Sequence, residues 1–368
     1  MIRIAQPIIE PDEVEAVREA LLSGQLAQGP RVAAFERAFA EYVGVPHAVA
    51  VNSGTAALHV ALLAHGIGAG DEVVVPAFSF AATANAVLQA GATPVFADVR
   101  EDDFGLDPKA LAAAITSRTR AAIAVHLYGQ PCDVAAIASI CAERGIVLIE
   151  DAAQAVGAAQ DGVPAGARGT GTFSLYATKN LTTGEGGFLT TADTAVAERA
   201  RALRSQGERT RYVTEMLGWN YRMMEMTAAL GLAQLPKLEA RNERRRENAG
   251  RLTELLSGQD ALVLPRALPG RRHVWHQYTL RVTAGRAARD ALQASLRERD
   301  IESAVFYPAP IHRQPLYGRL GYGSARMPVA ERLADEVLSV PVHPALSEDD
   351  LRAVADGVIA GLREAATA

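Results

Sequence analysis

Cysteine is nearly absent from this chain of 368 residues. The two that occur, Cys132 and Cys141, build neither a disulfide framework nor a thiolate metal site, and both are read as inert. The eight histidines are scattered without a zinc-ligand pattern, so no metal is expected. There is no basic excess either: 37 Lys and Arg stand against 42 Asp and Glu, a net charge of −5. A nucleic-acid binder needs a basic face to meet phosphates, and that class is set aside. A small anionic substrate remains open, because a few placed arginines suffice for one. No apolar run approaches the ~20 residues of a membrane span. The opening stretch MIRIAQPIIEPDEVEAV meets acidic residues too early for a signal peptide, so a cytoplasmic setting is expected. Lysine is the scarcest charged type. Arginine dominates it throughout, and Lys179 is the only lysine between Lys109 and Lys237.

What is present is ordinary for a globular protein with a large core: 49% apolar and 21% charged residues. The length suggests roughly two domains. Short β-branched runs alternate with alanine-rich helical stretches through the first two-thirds. Strands are expected at 48–51, 72–75, 94–97, 121–127, 146–149 and 172–176, and helices at 55–64, 81–89 and 134–144. The strands are nearly continuous apolar runs, which marks strands buried on both faces of a parallel sheet. The fold class is therefore α/β with right-handed crossovers. Around Leu235 the character changes. Pro236 opens the charged stretch KLEARNERRREN, read as a long exposed helix with Arg241, Arg244, Arg245 and Arg246 on a solvated face. After Pro265 come an alternating strand at 276–282, a helix at 289–299, a proline-rich loop and a last helix from Asp349. The expected division is a large α/β domain over 1–235 and a smaller α+β domain over 236–368.

Three segments carry potential chemistry. In NSGTAALHVAL, 52–62, a buried strand ends in a Ser-Gly-Thr turn and a helix starts at once. The first N–H groups of a helix point outward, and its dipole favours an anion there. Gly54 permits close approach to a phosphate; Ser53 or Thr55 as a plain N-cap is the competing reading. In GIVLIEDAAQAVGA a strand runs straight into Glu150 and Asp151, which puts both acids at the carboxyl edge where ligands bind in open α/β sheets. A carboxylate there can keep a pyridine nitrogen protonated, whereas a structural acid, a role Glu150 could fill, would only cap the next helix. In GTFSLYATKNLTTGEGGFLTT a strand leads into a tight loop holding Lys179, then a Gly-rich turn and another strand. An amine in a desolvated pocket beside a cationic ring has a lowered pKa and can form an imine, while the alternative is a surface lysine in a hairpin loop.

Phosphate-binding turn, ring carboxylate and Schiff-base lysine succeed one another in the order and spacing of fold-type I pyridoxal-phosphate enzymes. The chain also resembles the DegT-type sugar aminotransferases nearly end to end. Early matches are LAQGPRVAAFE, NSGTAALHVAL, VPAFSFAATANAV and PVFADV. Later ones are VHLYGQPCD, EDAAQAVGA, FSLYATKNLTTGEGG, WNYRMMEMTAALGLAQL, FYPAPIHRQPLY and SVPVHPALSEDD. The resemblance implies a fold-type I transferase with a mostly parallel central sheet and pyridoxal 5'-phosphate as cofactor. It further implies that Gly54, Thr55 and Ala56, with Ser174, hold the phosphate, and that Phe80 stacks on the pyridine ring. Asp151 would pair with the ring nitrogen, Gln154 would bond the phenolic oxygen and Lys179 would carry the cofactor. Asn220 would reach the phosphate in a neighbouring subunit, which implies a homodimer with shared sites. His312 would face the sugar, and Arg222 and Arg313 are candidates for its diphosphate. Relatives with histidine in place of the lysine are dehydratases, so the lysine here favours transamination.

The donor implied is L-glutamate. The acceptor implied is C4 of a nucleotide-linked 4-keto-6-deoxyhexose, because the TTGEGG turn differs from the GAxGDAG-like stretch of enzymes acting at C3. Aminocyclitol aminotransferases and aminohydroxybenzoate synthases have similar turns and remain an alternative, as does a cofactor-binding regulatory protein without turnover. The glycines at 66, 68 and 70 lie between a helix and the next strand, the wrong order for a dinucleotide loop. Trp219, Trp275 and His276 are read as core or interface residues.

Overall fold

The computed structural model describes residues 1–367. Two helices, α1 (Pro11–Leu22) and α2 (Pro30–Val43), precede a run of alternating elements. That run is β1 (His47–Val51), α3 (Gly54–Ala64), β2 (Glu72–Pro76), α4 (Ala82–Gln89), β3 (Thr93–Ala97), α5 (Pro108–Ala114), β4 (Thr119–Val125), α6 (Val134–Arg144) and β5 (Val147–Asp151). A short pair, β6 (Ala159–Gln160) and β7 (Val163–Pro164), leads to β8 (Thr170–Ser174) and β9 (Gly187–Thr191). The seven long strands form one sheet in the order β1-β9-β8-β5-β4-β2-β3. The pairs from β3 across to β8 are parallel, and β9 is antiparallel to both of its neighbours. A parallel neighbour needs a crossover, commonly a helix, and the Leu175–Gly186 loop contains none, so β9 must return antiparallel.

The apolar strands are packed on both faces of the sheet. Val49, Val73, Val75, Ile123 and Ile149 face one, under α3, α4 and α7 (Thr194–Arg204). Phe173, Phe188 and Leu175 face the other, where Phe39 stacks on Phe188 at 4.2 Å and Phe173 meets Phe39 edge-on at 5.0 Å. The N-terminus of α2 is held from far along the chain. Buried Glu225, at the start of α8 (Glu225–Gln234), accepts hydrogen bonds from the amides of Gly29, Arg31 and Val32. Between α7 and α8 a small hairpin, β10 (Glu208–Thr210) with β11 (Val213–Thr214), stands exposed.

The remainder is α+β. It holds α9 (Leu238–Leu255), β12 (Leu262–Val263), β13 (Arg271–Arg272), β14 (Tyr278–Val282), α10 (Arg286–Glu298), α11 (Pro315–Arg319), α12 (Pro328–Glu336), β15 (Val337–Val340) and α13 (Glu348–Thr367). The sheet order is β12-β14-β15. Core contacts cross the expected 235/236 division both ways. Ile311, Tyr317 and Leu333 pack in the core of the large sheet, while Ile2 pairs with Ile301.

Three expectations need correction. The strand expected at 121–127 ends at Val125, because the chain turns through a 3-10 segment in which Tyr128 has φ 59°. The strand expected to alternate, β14, is buried at all five positions, because it lies between β12 and β15 and packs on both faces. The charged helix is not solvated all round. Arg245 is 6% exposed and lies on the buried face of α9 with Asn242, Ala249 and Leu252, donating to the carbonyls of Trp275 and His276. Arg241 is tied to Glu13 at 2.9 Å.

Candidate active site

The carboxyl ends of β1, β5 and β8 open on one cavity of about 390 Å³. Its first wall is the start of α3. Ser53 is extended (φ −164°, ψ 162°), and its Oγ accepts the amide of Ala56 at 3.1 Å, so Ser53 is the N-cap and the Ala56 amide is already engaged. The leading amides of a helix have no partner inside it, which leaves those of Gly54 and Thr55 as donors at the cavity. Gly54 is needed for close approach rather than for a special φ: a Cβ there would meet Ser174 Cβ at 2.8 Å.

The second wall is the end of β5. Asp151 is 6% exposed. Thr83 Oγ1 donates to Asp151 Oδ2 at 2.9 Å, Ser79 Oγ lies 3.0 Å from the same threonine hydroxyl, and the Ala153 amide donates to Asp151 Oδ1 at 3.2 Å. Burial raises the Asp151 pKa above its ordinary value, against the pull of Thr83, the Ala153 amide and the Lys179 charge. Among the described residues Asp151 makes no ion-pair contact, and the Lys179 charge only partly offsets its burial. Glu150, one residue back, points the other way. It accepts from His126 Nε2 at 3.0 Å and from the amides of Gly166, Arg168 and Gly169 at 3.0, 2.8 and 2.8 Å. Burial alone would raise its pKa, but these donors hold it below the ordinary range. Glu150 is the structural acid of the pair.

The third wall is the β8–β9 loop. The Lys179 amide donates to Tyr176 O at 2.9 Å, closing the turn that directs the side chain into the cavity. Lys179 keeps part of its surface open to that cavity, yet burial lowers its ammonium pKa from 10.5 to about 8, partly offset by Asp151. Gln154 is fixed at both ends: its Oε1 accepts the Tyr128 amide at 2.7 Å and its Nε2 donates to the Tyr307 hydroxyl at 3.3 Å. Phe80 is 58% exposed at the cavity mouth, its ring 5.8 Å from that of Tyr307.

Thus Gly54, Thr55, Phe80, Asp151, Gln154, Ser174 and Lys179 line one cavity. The other residues singled out in the sequence do not. Asn220 is exposed and bridges Ser205. Arg222 is half-buried outside the cavity lining. His312 is 0% exposed and bonds Glu331 at 3.1 Å, and Arg313 pairs with the same carboxylate at 2.8 Å. Thr83, Tyr307 and His276 also line the cavity, and none of them was singled out for chemistry by the sequence. Thr83 and Tyr307 stand inside the quoted motifs AFSFAATANAV and FYPAP, and His276 in a strand-like run that gives no chemical signal. Among the described residues no cluster of His, Cys, Asp or Glu could hold a metal, and no helix is long and apolar enough to cross a membrane.

The donor set fits pyridoxal phosphate. Free amides at a helix start suit a phosphate, a carboxylate with no ion-pair contact among the described residues suits a protonated ring nitrogen, and an amine of lowered pKa suits an imine. Residues 7–359 match the DegT/DnrJ/EryC1/StrS aminotransferase family. The chain is 44% identical over 324 residues to a UDP-N-acetyl-3-dehydro-alpha-D-glucosamine 3-aminotransferase of Acidithiobacillus ferrooxidans, covering 88% of this chain and 86% of the relative. It is 41% identical over 354 residues to a pleiotropic regulatory protein of Geobacillus stearothermophilus, covering 95% and 94%. The crystal structure of DesV from S. venezuelae superposes with a TM-score of 0.91 at 40% identity, over 96% of this chain and 94% of that one. The PLP form of Spr1654, a sugar aminotransferase fold from Streptococcus pneumoniae, gives 0.94 at 27% identity over 99% of both.

Proposed function

The chain belongs to the DegT/DnrJ/EryC1/StrS aminotransferase family, a pyridoxal-phosphate-dependent family, and from that premise we propose that it transfers an amino group from L-glutamate to the keto carbon of a nucleotide-linked sugar, through Lys179 and Asp151. One observation carries the residue assignment: an amine of lowered pKa and a buried carboxylate with no ion-pair contact among the described residues line the same cavity beside a free helix start. Pyridoxal phosphate, when bound, supplies the electron sink for carbanion chemistry.

The residues of the chain do the rest. Gly54 and Thr55 amides, with Ser174, receive the phosphate. Asp151 holds the ring nitrogen protonated, and Thr83 and Ala153 aim its oxygens. Lys179 bears the cofactor at rest. When free, its Nζ would take the proton from the donor's α-carbon, and a pKa of about 8 would let it hold or release that proton near neutral pH. Gln154 would serve the ring's oxygen edge, and Phe80, at the cavity mouth, would cover the ring. Asn220 is exposed and outside its own cavity, which suits a role in a neighbouring subunit's site and so a homodimer. Arg222 has no ion-pair partner among the described residues and is the candidate for the diphosphate.

For the acceptor, the TTGEGG turn after Lys179 supports C4 of a 4-keto-6-deoxyhexose. The name of the Acidithiobacillus relative favours a second reading, amination at C3. The test loads the enzyme with glutamate, monitors conversion of the cofactor to its pyridoxamine form, and then offers 4-keto and 3-keto nucleotide sugars and a keto-cyclitol separately. Product identified by NMR names the acceptor. A nucleotide binds remote from the reacting carbon, so the free keto-sugar should react far more slowly. Preference for the cyclitol overturns the nucleotide-sugar reading, and no conversion by glutamate overturns turnover with that donor.

A further inference from the structure

Two hydroxyls behind Asp151 form a chain that ends on its charge. Thr83, in the first turn of α4, is 1% exposed, and Ser79, in the connection between β2 and α4, is 4% exposed. Both line the cavity. Asp151 Oδ2 accepts from Thr83 Oγ1 at 2.9 Å, and Ser79 Oγ lies 3.0 Å from that same threonine oxygen. Chemistry fixes the direction of the chain. An ionised carboxylate only accepts, so Thr83 must spend its one hydroxyl hydrogen on Asp151. Its oxygen can then only accept from Ser79, and Ser79 donates. Both hydrogens therefore run toward the carboxylate. Bonds in such a chain polarise one another, so Ser79 strengthens a bond that it does not itself make.

The side chain of Asp151 has little other support. Among the described residues the Ala153 amide, at 3.2 Å, is its one further donor. The charged or titratable groups that act on it are Lys179 from the β8–β9 loop, His126 just past β4, and Tyr307 from the loop before α11. Burial is the largest influence and disfavours the ionised form. The Thr83 hydroxyl is the strongest of the influences that oppose it, ahead of the Ala153 amide and the Lys179 charge.

We propose that Ser79 and Thr83 are positioning residues for the amino transfer: their chained hydroxyls stabilise Asp151 as an anion, and so decide that the proton it shares with the cofactor's ring nitrogen stays on the ring. The proposal rests on the assignment of Asp151 to that nitrogen. Between a carboxylate and a pyridine, the proton goes to the stronger base. A hydrogen bond given to the carboxylate weakens it as a base. Without the chain, a carboxylate this deeply buried would draw the proton back and weaken the electron sink.

Three variants test it. Thr83→Val is close to isosteric and deletes the hydroxyl, Thr83→Ser keeps it, and Ser79→Ala removes only the far link. In the cofactor-free full-length protein, labelled with 13C at the aspartate carboxyls, the Asp151 resonance is the one missing from Asp151→Asn. Its titration midpoint should rise by about one pH unit in Thr83→Val, the scale of a hydrogen bond to a charged group. Ser79→Ala should move it the same way by less, and Thr83→Ser should keep the wild-type midpoint. In the holoenzyme carrying pyridoxal phosphate labelled with 15N in the ring, Thr83→Val should shift the nitrogen resonance toward its unprotonated position, and Thr83→Ser should not. A folded Thr83→Val protein with an unmoved midpoint or an unmoved ring nitrogen overturns the proposal, as does a Thr83→Ser protein that behaves like Thr83→Val. Ser79→Ala leaves the Thr83 bond in place, and a midpoint that ignores it overturns the chain. A ring nitrogen unprotonated even in wild type, beside a midpoint that still responds to Thr83→Val, instead overturns the assignment of Asp151.

Discussion

Glu150 and Asp151 are adjacent acids at one strand end, and replacing each by its amide should have opposite consequences. In Glu150→Gln the new NH2 group must replace one of two oxygens, and each oxygen receives two donors. Turned one way, the NH2 faces the amides of Arg168 and Gly169; turned the other, it faces the Gly166 amide and His126 Nε2. His126 cannot adapt by moving its proton, because its Nδ1 already accepts the Cys132 amide at 3.2 Å. Two donors are therefore left unpaired in either orientation, both of them buried when the NH2 faces Gly166 and His126, at roughly 1–3 kcal/mol per buried donor, or up to about 6 kcal/mol in total. In Asp151→Asn the NH2 group can replace Oδ2 and donate to Thr83 Oγ1, whose hydroxyl hydrogen then rotates toward Ser79 Oγ; the Ala153 amide still meets an oxygen. The carboxylate whose charge burial disfavours is gone, so the cofactor-free Asn variant should be at least as stable as wild type. Its turnover should fall at least ~100-fold, the scale of losing one catalytic electrostatic partner. Urea unfolding of both variants, beside rates with glutamate, checks the pair. A Glu150→Gln protein as stable as wild type, or a folded Asp151→Asn protein with near-normal turnover, would refute the division of roles.

The lowered Lys179 pKa makes stability pH-dependent: between about 8 and 10.5 the unfolded chain still holds the proton that the folded one has released, so stability of the cofactor-free protein rises with pH across that window. The gain in stability on Lys179→Ala should be full below pH 8 and fade toward 10.5 in urea titrations; a pH-independent difference contradicts the desolvated amine. Subunit exchange tests the shared site: mixing Lys179→Ala with Asn220→Ala subunits should restore part of the activity, since one site per heterodimer keeps both groups. No recovery despite demonstrated exchange counts against Asn220 acting across subunits.

Much of the fold and site was legible in the sequence because each feature had a local cause. Continuous apolar runs located the parallel strands, the Ser-Gly-Thr turn located the start of α3, and the isolation of Lys179 drew attention to its loop. What was not legible depended on distant partners. Arg245 looked solvated because its neighbours are charged, yet carbonyls 30 residues away accept from it inside the core. Tyr128 ended β4 early through a backbone conformation that its residue type does not announce. Ala56 sat in the phosphate motif, but which amide Ser53 would take depends on the cap geometry. His276 carried no motif, and its place at the cavity beside Asn180 emerges only from contacts between residues far apart in the chain.

The central claim is that the cofactor is carried on Lys179 within this cavity, and borohydride reduction of the purified yellow protein with subsequent peptide mapping tests it most directly. With only three lysines the outcome is unambiguous. The expected result is cofactor fixed on the peptide containing Lys179, and none after Lys179→Ala, which should still bind pyridoxamine phosphate. Recovery of the label on Lys109 or Lys237, or a Lys179→Ala protein that still fixes it, would contradict the claim.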